Sequence, residues 1–158
     1  MLCGLVIALA AACGGGDGAS GDDPSVGRVV RIVDGDTMRI RIGGVEEPVR
    51  LIGIDTPESV DPRSPVECFG IEASSHLKSL APPGTAVRLV RDVEARDRYD
   101  RLLAYVYRVD DDLFLNLAMA RDGYANVLTY PPNVAHADAF VTAVAEAREA
   151  GRGLWNAC

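Results

Sequence analysis

Two short acidic runs carry residue types that could hold a cation. Val33-Asp34-Gly35-Asp36-Thr37 places two carboxylates around a glycine, and Ile54-Asp55-Thr56-Pro57-Glu58 places two more just past an apolar stretch. Oxygen donors of this kind suit Ca²⁺, which accepts carboxylates, backbone carbonyls and water in flexible geometry. Two arginines complete the set: Arg50 shortly before the second run, and Arg101 in Asp97-Arg98-Tyr99-Asp100-Arg101. A guanidinium can hold two phosphate oxygens at once, so arginines beside a cation suit the charge of a phosphoryl transition state. A carboxylate next to such a cation can take a proton from water. Each fragment also has an ordinary reading. Asp-Gly is a common turn, Asp-Thr-Pro-Glu can open a helix, and the arginines can pair with nearby aspartates. The combination carries the weight. His76 and His136 fall on separate predicted helices and read as surface or capping residues, so no histidine and cysteine set competes for a transition metal.

The elements that must position these residues are legible from hydrophobic period. A strand from about Arg28 to Val33 turns at Asp34-Gly35 into a second. There Met38, Ile40 and Ile42 share one face, and Arg39 and Arg41 the other. Gly43-Gly44 turns into a third strand, about Pro48 to Ile54, and this meander brings both acidic runs to neighbouring strand ends. Ser59 to Pro65 reads as a loop. Ala73, Leu77 and Leu80 then recur at helical spacing until Pro82-Pro83-Gly84 stops the helix. Strands follow at about Ala86 to Arg91 and Leu102 to Val109. A helix from about Leu113 to Asp122 ends at Gly123, and a last one from about Ala135 to Ala150 is expected to bury Phe140, Val141 and Val144. The implied fold is α+β, mainly β: a five-stranded barrel of the oligonucleotide/oligosaccharide-binding kind, capped by about three helices.

Three segments, Val33 to Thr37, Val49 to Glu58 and Asp97 to Tyr105, resemble the staphylococcal nuclease (thermonuclease) family in order and residue type. The resemblance extends from about Val26 to Trp155. It implies a calcium-dependent endonuclease acting on DNA and RNA and leaving 3′-phosphate ends. By the same resemblance Asp36, Asp55 and the backbone carbonyl of Thr56 would bind calcium. Glu58 would position or deprotonate water, and Arg50 and Arg101 would clamp the phosphate. Arg98, standing where lysine is more usual, and Tyr99 match positions that hold a terminal phosphate. Tyr130 offers a ring in the stretch that faces the nucleotide base. The other readings are a non-catalytic nucleic-acid-binding module and an oligosaccharide- or peptide-binding barrel; retention of all five charged site residues argues against the first.

A chain of 158 residues that is 48% apolar has the size and composition of one domain, expected here over residues 26–158 and as a monomer. The net charge of −7 excludes a strongly basic footprint. Substrate binding is therefore expected to depend on local cations near Arg50, Arg98 and Arg101, with a shallow salt dependence. Residues 1–12 are uncharged and end in Ala10-Ala11-Ala12, as in an export signal, although no Lys or Arg precedes the apolar run. Cys13 opens a Gly, Ser and Asp-rich tether, residues 13–25, as in signals whose cysteine is lipidated. The expectation is an exported protein, lipid-anchored to the membrane through Cys13 or secreted. Cys3 lies in the signal, which leaves Cys68 and Cys158 to form one disulfide or to stand as two thiols.

Overall fold

A computed structural model describes residues 23–62 and 65–158. The expected export signal, Cys3, Cys13 and most of the expected tether lie outside the described residues.

Five strands close into a barrel in the order β1-β2-β3-β6-β5. They are β1 (Val26–Asp34), β2 (Thr37–Ile42), β3 (Val45–Leu51), β5 (Ala86–Val90) and β6 (Leu102–Arg108). Neighbours pair antiparallel except β3 and β6, which run parallel. This is the mixed five-stranded barrel with helical caps expected from the period-two strands. Met38 and Ile40 of β2 and Val49 and Leu51 of β3 alternate into the interior and are fully buried. Each such side chain contributes about 1.5–3 kcal/mol by leaving water.

The structure divides the expected third strand in two. β3 stops at Leu51, and a separate short strand β4 (Gly53–Asp55) pairs instead with β7 (Asn126–Leu128), a strand absent from the sequence reading. Gly53 makes the break. Its φ of 87° is left-handed, and a Cβ there would sit 2.1 Å from Cε2 of Phe140. No other residue fits both constraints. The chain thus leaves the barrel wall and carries Asp55 toward the mouth.

Helix α1 (Gly70–Leu80) follows β4, α2 (Leu115–Arg121) and α3 (Ala137–Glu149) pack together, and a short α4 (Leu154–Ala157) ends the described elements. On α3, Phe140, Val144 and Ala147 are buried, but Val141 is 55% exposed, contrary to expectation. Positions 140, 144 and 147 share one helical face, and 141 is turned about a quarter revolution away from it. Asn116 of α2 is wholly buried. Its amide donates to the carbonyls of Ile52 (2.9 Å) and Ala104 (3.1 Å), and its oxygen accepts from the Val106 N–H (2.9 Å). One side chain thereby ties α2 to β6 and to the point where the chain departs for β4. Cys68 and Cys158 are joined as a disulfide with Cα atoms 6.1 Å apart, closing α1's entry onto the carboxyl terminus.

Candidate active site

The β1–β2 turn is pressed against the residues that follow β4. A Cβ on Gly35 would lie 2.7 Å from the Thr56 hydroxyl oxygen and 2.9 Å from Cβ of Ala73, so only glycine lets the turn seat there. Seated in this way, the turn brings Asp36 to Thr56, twenty residues away in sequence. The Thr56 N–H donates to Oδ2 of Asp36 (3.1 Å), and the Thr37 hydroxyl donates to Oδ1 (2.9 Å). Asp36 is 5% exposed.

Arg50, opposite Thr37 in the β2–β3 register, lies between the two acidic runs. Its guanidinium pairs with Oδ2 of Asp36, and donates to Oδ1 of Asp55 (2.9 Å) and to the Ile54 carbonyl (3.1 Å). Burial pulls the Arg50 pKa below the ordinary arginine value, against the opposing pull of Asp55. Asp36, Arg50, Asp55 and Thr56 therefore meet at one point. Among the described residues no three carboxylates, histidines or cysteines cluster as a ready metal cage. The Asp36 and Asp55 carboxylates that meet here are hard oxygen donors of the kind Ca²⁺ accepts.

Glu58 reaches the cluster from the other side. Its Oε1 accepts from the backbone N–H groups of Val60 (2.7 Å) and Asp61 (3.0 Å), and the Val60 bond is the main reason its pKa falls below the usual glutamate value. Its neighbour Asp34 accepts from the Ser59 hydroxyl (2.6 Å) and the Gly35 N–H (2.9 Å). Burial raises the Asp34 pKa despite those bonds, and the Glu58 charge adds to the rise. The two shifts run in opposite directions, so Glu58 is the more readily ionised of the pair. Its link to the cluster runs through Asp34 rather than Asp36.

Beside Arg50 opens a cleft of about 460 Å³ lined by Arg50, Arg101, Arg98, Tyr99 and Tyr130 among others. Arg101 is aimed by Asp97, whose Oδ2 accepts from Nε at 2.7 Å, while Nη1 lies 3.5 Å from the Thr37 hydroxyl. Desolvation of Asp97 is outweighed by bonds from Arg101 and Tyr99, and its pKa falls. Arg98 stacks over the Tyr99 ring at 4.7 Å and donates to its hydroxyl at 2.6 Å. Tyr130 is 74% exposed, and Tyr99 is 64% exposed although Arg98 and Arg101 both lie over its ring. Arg50 thus joins two groups of expected site residues: it meets Asp36 and Asp55 beside Thr56, and it lines the cleft with Arg98, Tyr99, Arg101 and Tyr130, while Glu58 is linked through Asp34. The sequence reading assigned no role to Asp34 or Asp97. Asp34 lies within the first acidic run, and Asp97 stands four residues before Arg101, so position alone marked both.

His76 bonds to Asp122 at 3.0 Å and stacks on Tyr124, while His136 packs edge-on to Tyr105. Both stand in structural contacts.

A family model described as "Staphylococcal nuclease homologue" matches residues 48–157, a span holding every site residue except those of the β1–β2 turn. The chain is 41% identical over 127 residues to the thermonuclease of Staphylococcus intermedius, covering 80% of this chain and 74% of that protein. It is 34% identical over 139 residues to the thermonuclease of Staphylococcus hyicus, covering 88% and 80%. Endonuclease YncB of Bacillus subtilis (strain 168) is 34% identical over 127 residues, covering 80% of this chain and 59% of that protein. By the family-model match over most of its length and by its identity to both thermonucleases, the chain belongs to the staphylococcal nuclease family.

Proposed function

We propose that this protein is a calcium-dependent nuclease that hydrolyses phosphodiester bonds of DNA and RNA and leaves 3′-phosphate ends. The observation that carries the reading is the meeting of Asp36, Arg50, Asp55 and Thr56 beside the arginine-lined cleft. The names of the thermonuclease and endonuclease relatives support it.

Asp36, Asp55 and the Thr56 carbonyl are the residues to hold calcium, which when bound would offset the negative charge that keeps water from a phosphodiester. Arg50 and Arg101 take phosphate oxygens, and the Asp97 carboxylate holds Arg101 in place for that contact. Glu58 orients the attacking water and accepts its proton as the bond to the 5′ oxygen breaks; the departing oxygen takes a proton from solvent. A base held ionised by backbone bonds is a weak proton acceptor, so electrostatic stabilisation by the arginines bears more of the rate. Arg98 and Tyr99 receive a terminal phosphate, and Tyr130 offers a face to a base. The protein works as a monomer after export, anchored through lipidated Cys13 or released.

Incubation of purified protein with single-stranded DNA, in calcium and in chelator, tests the reading. Cleavage to 3′-phosphate ends in calcium alone is expected, with Asp36→Ala impaired and partly recovered at high calcium. DNA that is bound and never cut would identify a binding module instead.

A further inference from the structure

The β1–β2 hairpin carries four arginines on its outer face. Met38 and Ile40 are buried in the barrel, so the alternating residues Arg39 and Arg41 face outward. Register sets Arg31 opposite Arg39 and Arg28 opposite Arg41, and directly opposed residues share a face. Arg28 and Arg31 are three positions apart, an odd interval that in a regular strand would point them to opposite sides. The bulge between Val29 and Arg31 absorbs the extra residue and turns both outward.

The outcome is two like-charge pairs placed directly across from each other, which works against the sheet. Neutralisation is partial, since Glu46 stands opposite Arg41 in the β2–β3 register and so shares this face. Arg28 donates to the Gly84 carbonyl at 3.2 Å, and Arg39 lies 3.9 Å from Glu46 at a solvent-exposed position. The guanidinium groups of Arg31 and Arg41 have no hydrogen bond or ion pair among the described residues, and both residues are exposed. In a chain of net charge −7, acidic residues already supply solubility, so four clustered cations need another reason.

This face runs into the candidate active site. Thr37 stands two residues before Arg39 and opposite Arg50, which places both on the same outward side, and Arg101 reaches the Thr37 hydroxyl. At about 3.3 Å per residue the Arg39 and Arg31 pair lies ~7 Å from Thr37 along the strand, and the Arg41 and Arg28 pair ~13 Å. Over that longer distance one strand of a duplex presents roughly four phosphates, one per ~3.4 Å of axis.

We propose that this arginine ridge is a second binding surface, a track for the phosphodiester backbone of a nucleic-acid chain leaving the cleft. The proposal rests on the reading that polymeric nucleic acid is the substrate. Its support is charge complementarity and continuity with Arg50 and Arg101. Guanidinium groups left without partners are suited to take phosphate oxygens bidentately, and contacts of this kind position a strand without reading its bases.

The test compares the full-length wild type with Arg31→Gln/Arg41→Gln on two substrates: a long single-stranded oligonucleotide, and a dinucleotide phosphodiester too short to reach the ridge. For the long substrate KM should rise about tenfold at low salt, while kcat and KM for the dinucleotide stay unchanged. Fluorescence anisotropy of the oligonucleotide in chelator, where nothing turns over, should show a salt slope shallower by about 1.4, two contacts at roughly 0.7 each. Arg31→Lys/Arg41→Lys should keep the wild-type slope. Equal changes on both substrates, or an unchanged slope, would overturn the ridge. So would arginine-dependent binding to anionic phospholipid vesicles with oligonucleotide binding unaffected. If the wild type cuts neither substrate, the nuclease reading fails, and the anisotropy slope still decides the ridge.

Discussion

Two polar clusters lie near the break between β3 and β4, one wholly buried and one open to solvent at Asp55, and they differ in how completely their atoms are satisfied. On the helix side, Asn116 donates twice and accepts once, so both ends of its amide have backbone partners in the core. On the mouth side, Asp36 and Asp55 converge on one guanidinium, and the Thr56 hydroxyl is buried with no hydrogen-bond partner. A neutral side chain with its hydrogen-bonding capacity filled fixes geometry. Clustered charges with capacity left over are costly to the fold and useful to a ligand, because an ion or a phosphate can complete them. The first cluster holds the chain where it turns toward β4, and so sets where the second one stands.

Removing the satisfied cluster should have the largest effect on stability. Asn116→Ala removes the side-chain partner of the Ile52 carbonyl and of the Val106 N–H in the core, at about 1–3 kcal/mol each before relaxation, while the Ala104 carbonyl keeps its bond from the Ile52 N–H. A loss of about 3–5 kcal/mol in denaturant unfolding is expected, and a loss below about 1 kcal/mol would mean that Asn116 is not the tie described.

The next effect separates the core from the mouth by pH. Burial, then the Asp92 carboxylate that accepts from its hydroxyl, push the Tyr105 pKa up to about 12 from 10.0. The folded value lies above the unfolded one, so the neutral phenol stabilises the fold below pH 10, and that contribution is lost as pH rises toward about 12. It is on the order of 2 kcal/mol, and Tyr105→Phe should flatten the alkaline fall in stability. The mouth behaves in the opposite sense. The lowered pKa of Glu58 keeps its carboxylate ionised to lower pH than an ordinary glutamate.

The smallest effect has the opposite sign. Thr56→Val keeps the side-chain shape and the backbone carbonyl but removes the hydroxyl that has no partner. Stability should rise by up to about 1 kcal/mol with calcium affinity unchanged. A drop in calcium affinity would make the hydroxyl itself a ligand.

The mouth was more legible in the sequence than the core that supports it. Asp36 and Asp55 could be brought together from period-two strands and a tight turn, since a meander leaves few places for its strand ends to go. Asn116 gave no such signal: within the helical stretch it looks like any polar position, and its partners at 52 and 104 are distant in sequence. Leu51-Ile52-Gly53-Ile54 read as one apolar strand because the Phe140 ring that demands glycine comes from α3. The two register shifts in β1 were invisible for a related reason, since a bulge is a relation between strands, and period alone cannot reveal that Arg28 and Arg31 share a face. Val141 was misplaced because apolar type was taken for burial.

The central claim is that the mouth cluster performs phosphodiester hydrolysis with Glu58 beside a calcium held by Asp36, Asp55 and Thr56. The direct measurement is cleavage of single-stranded DNA across a calcium series by the wild type and Glu58→Gln. The variant keeps the residue's size and can still bind metal and substrate, but it cannot accept a proton. Its turnover should fall by a factor on the order of a hundred or more, with no recovery at any calcium concentration. Cleavage by Glu58→Gln at the wild-type rate would contradict the account.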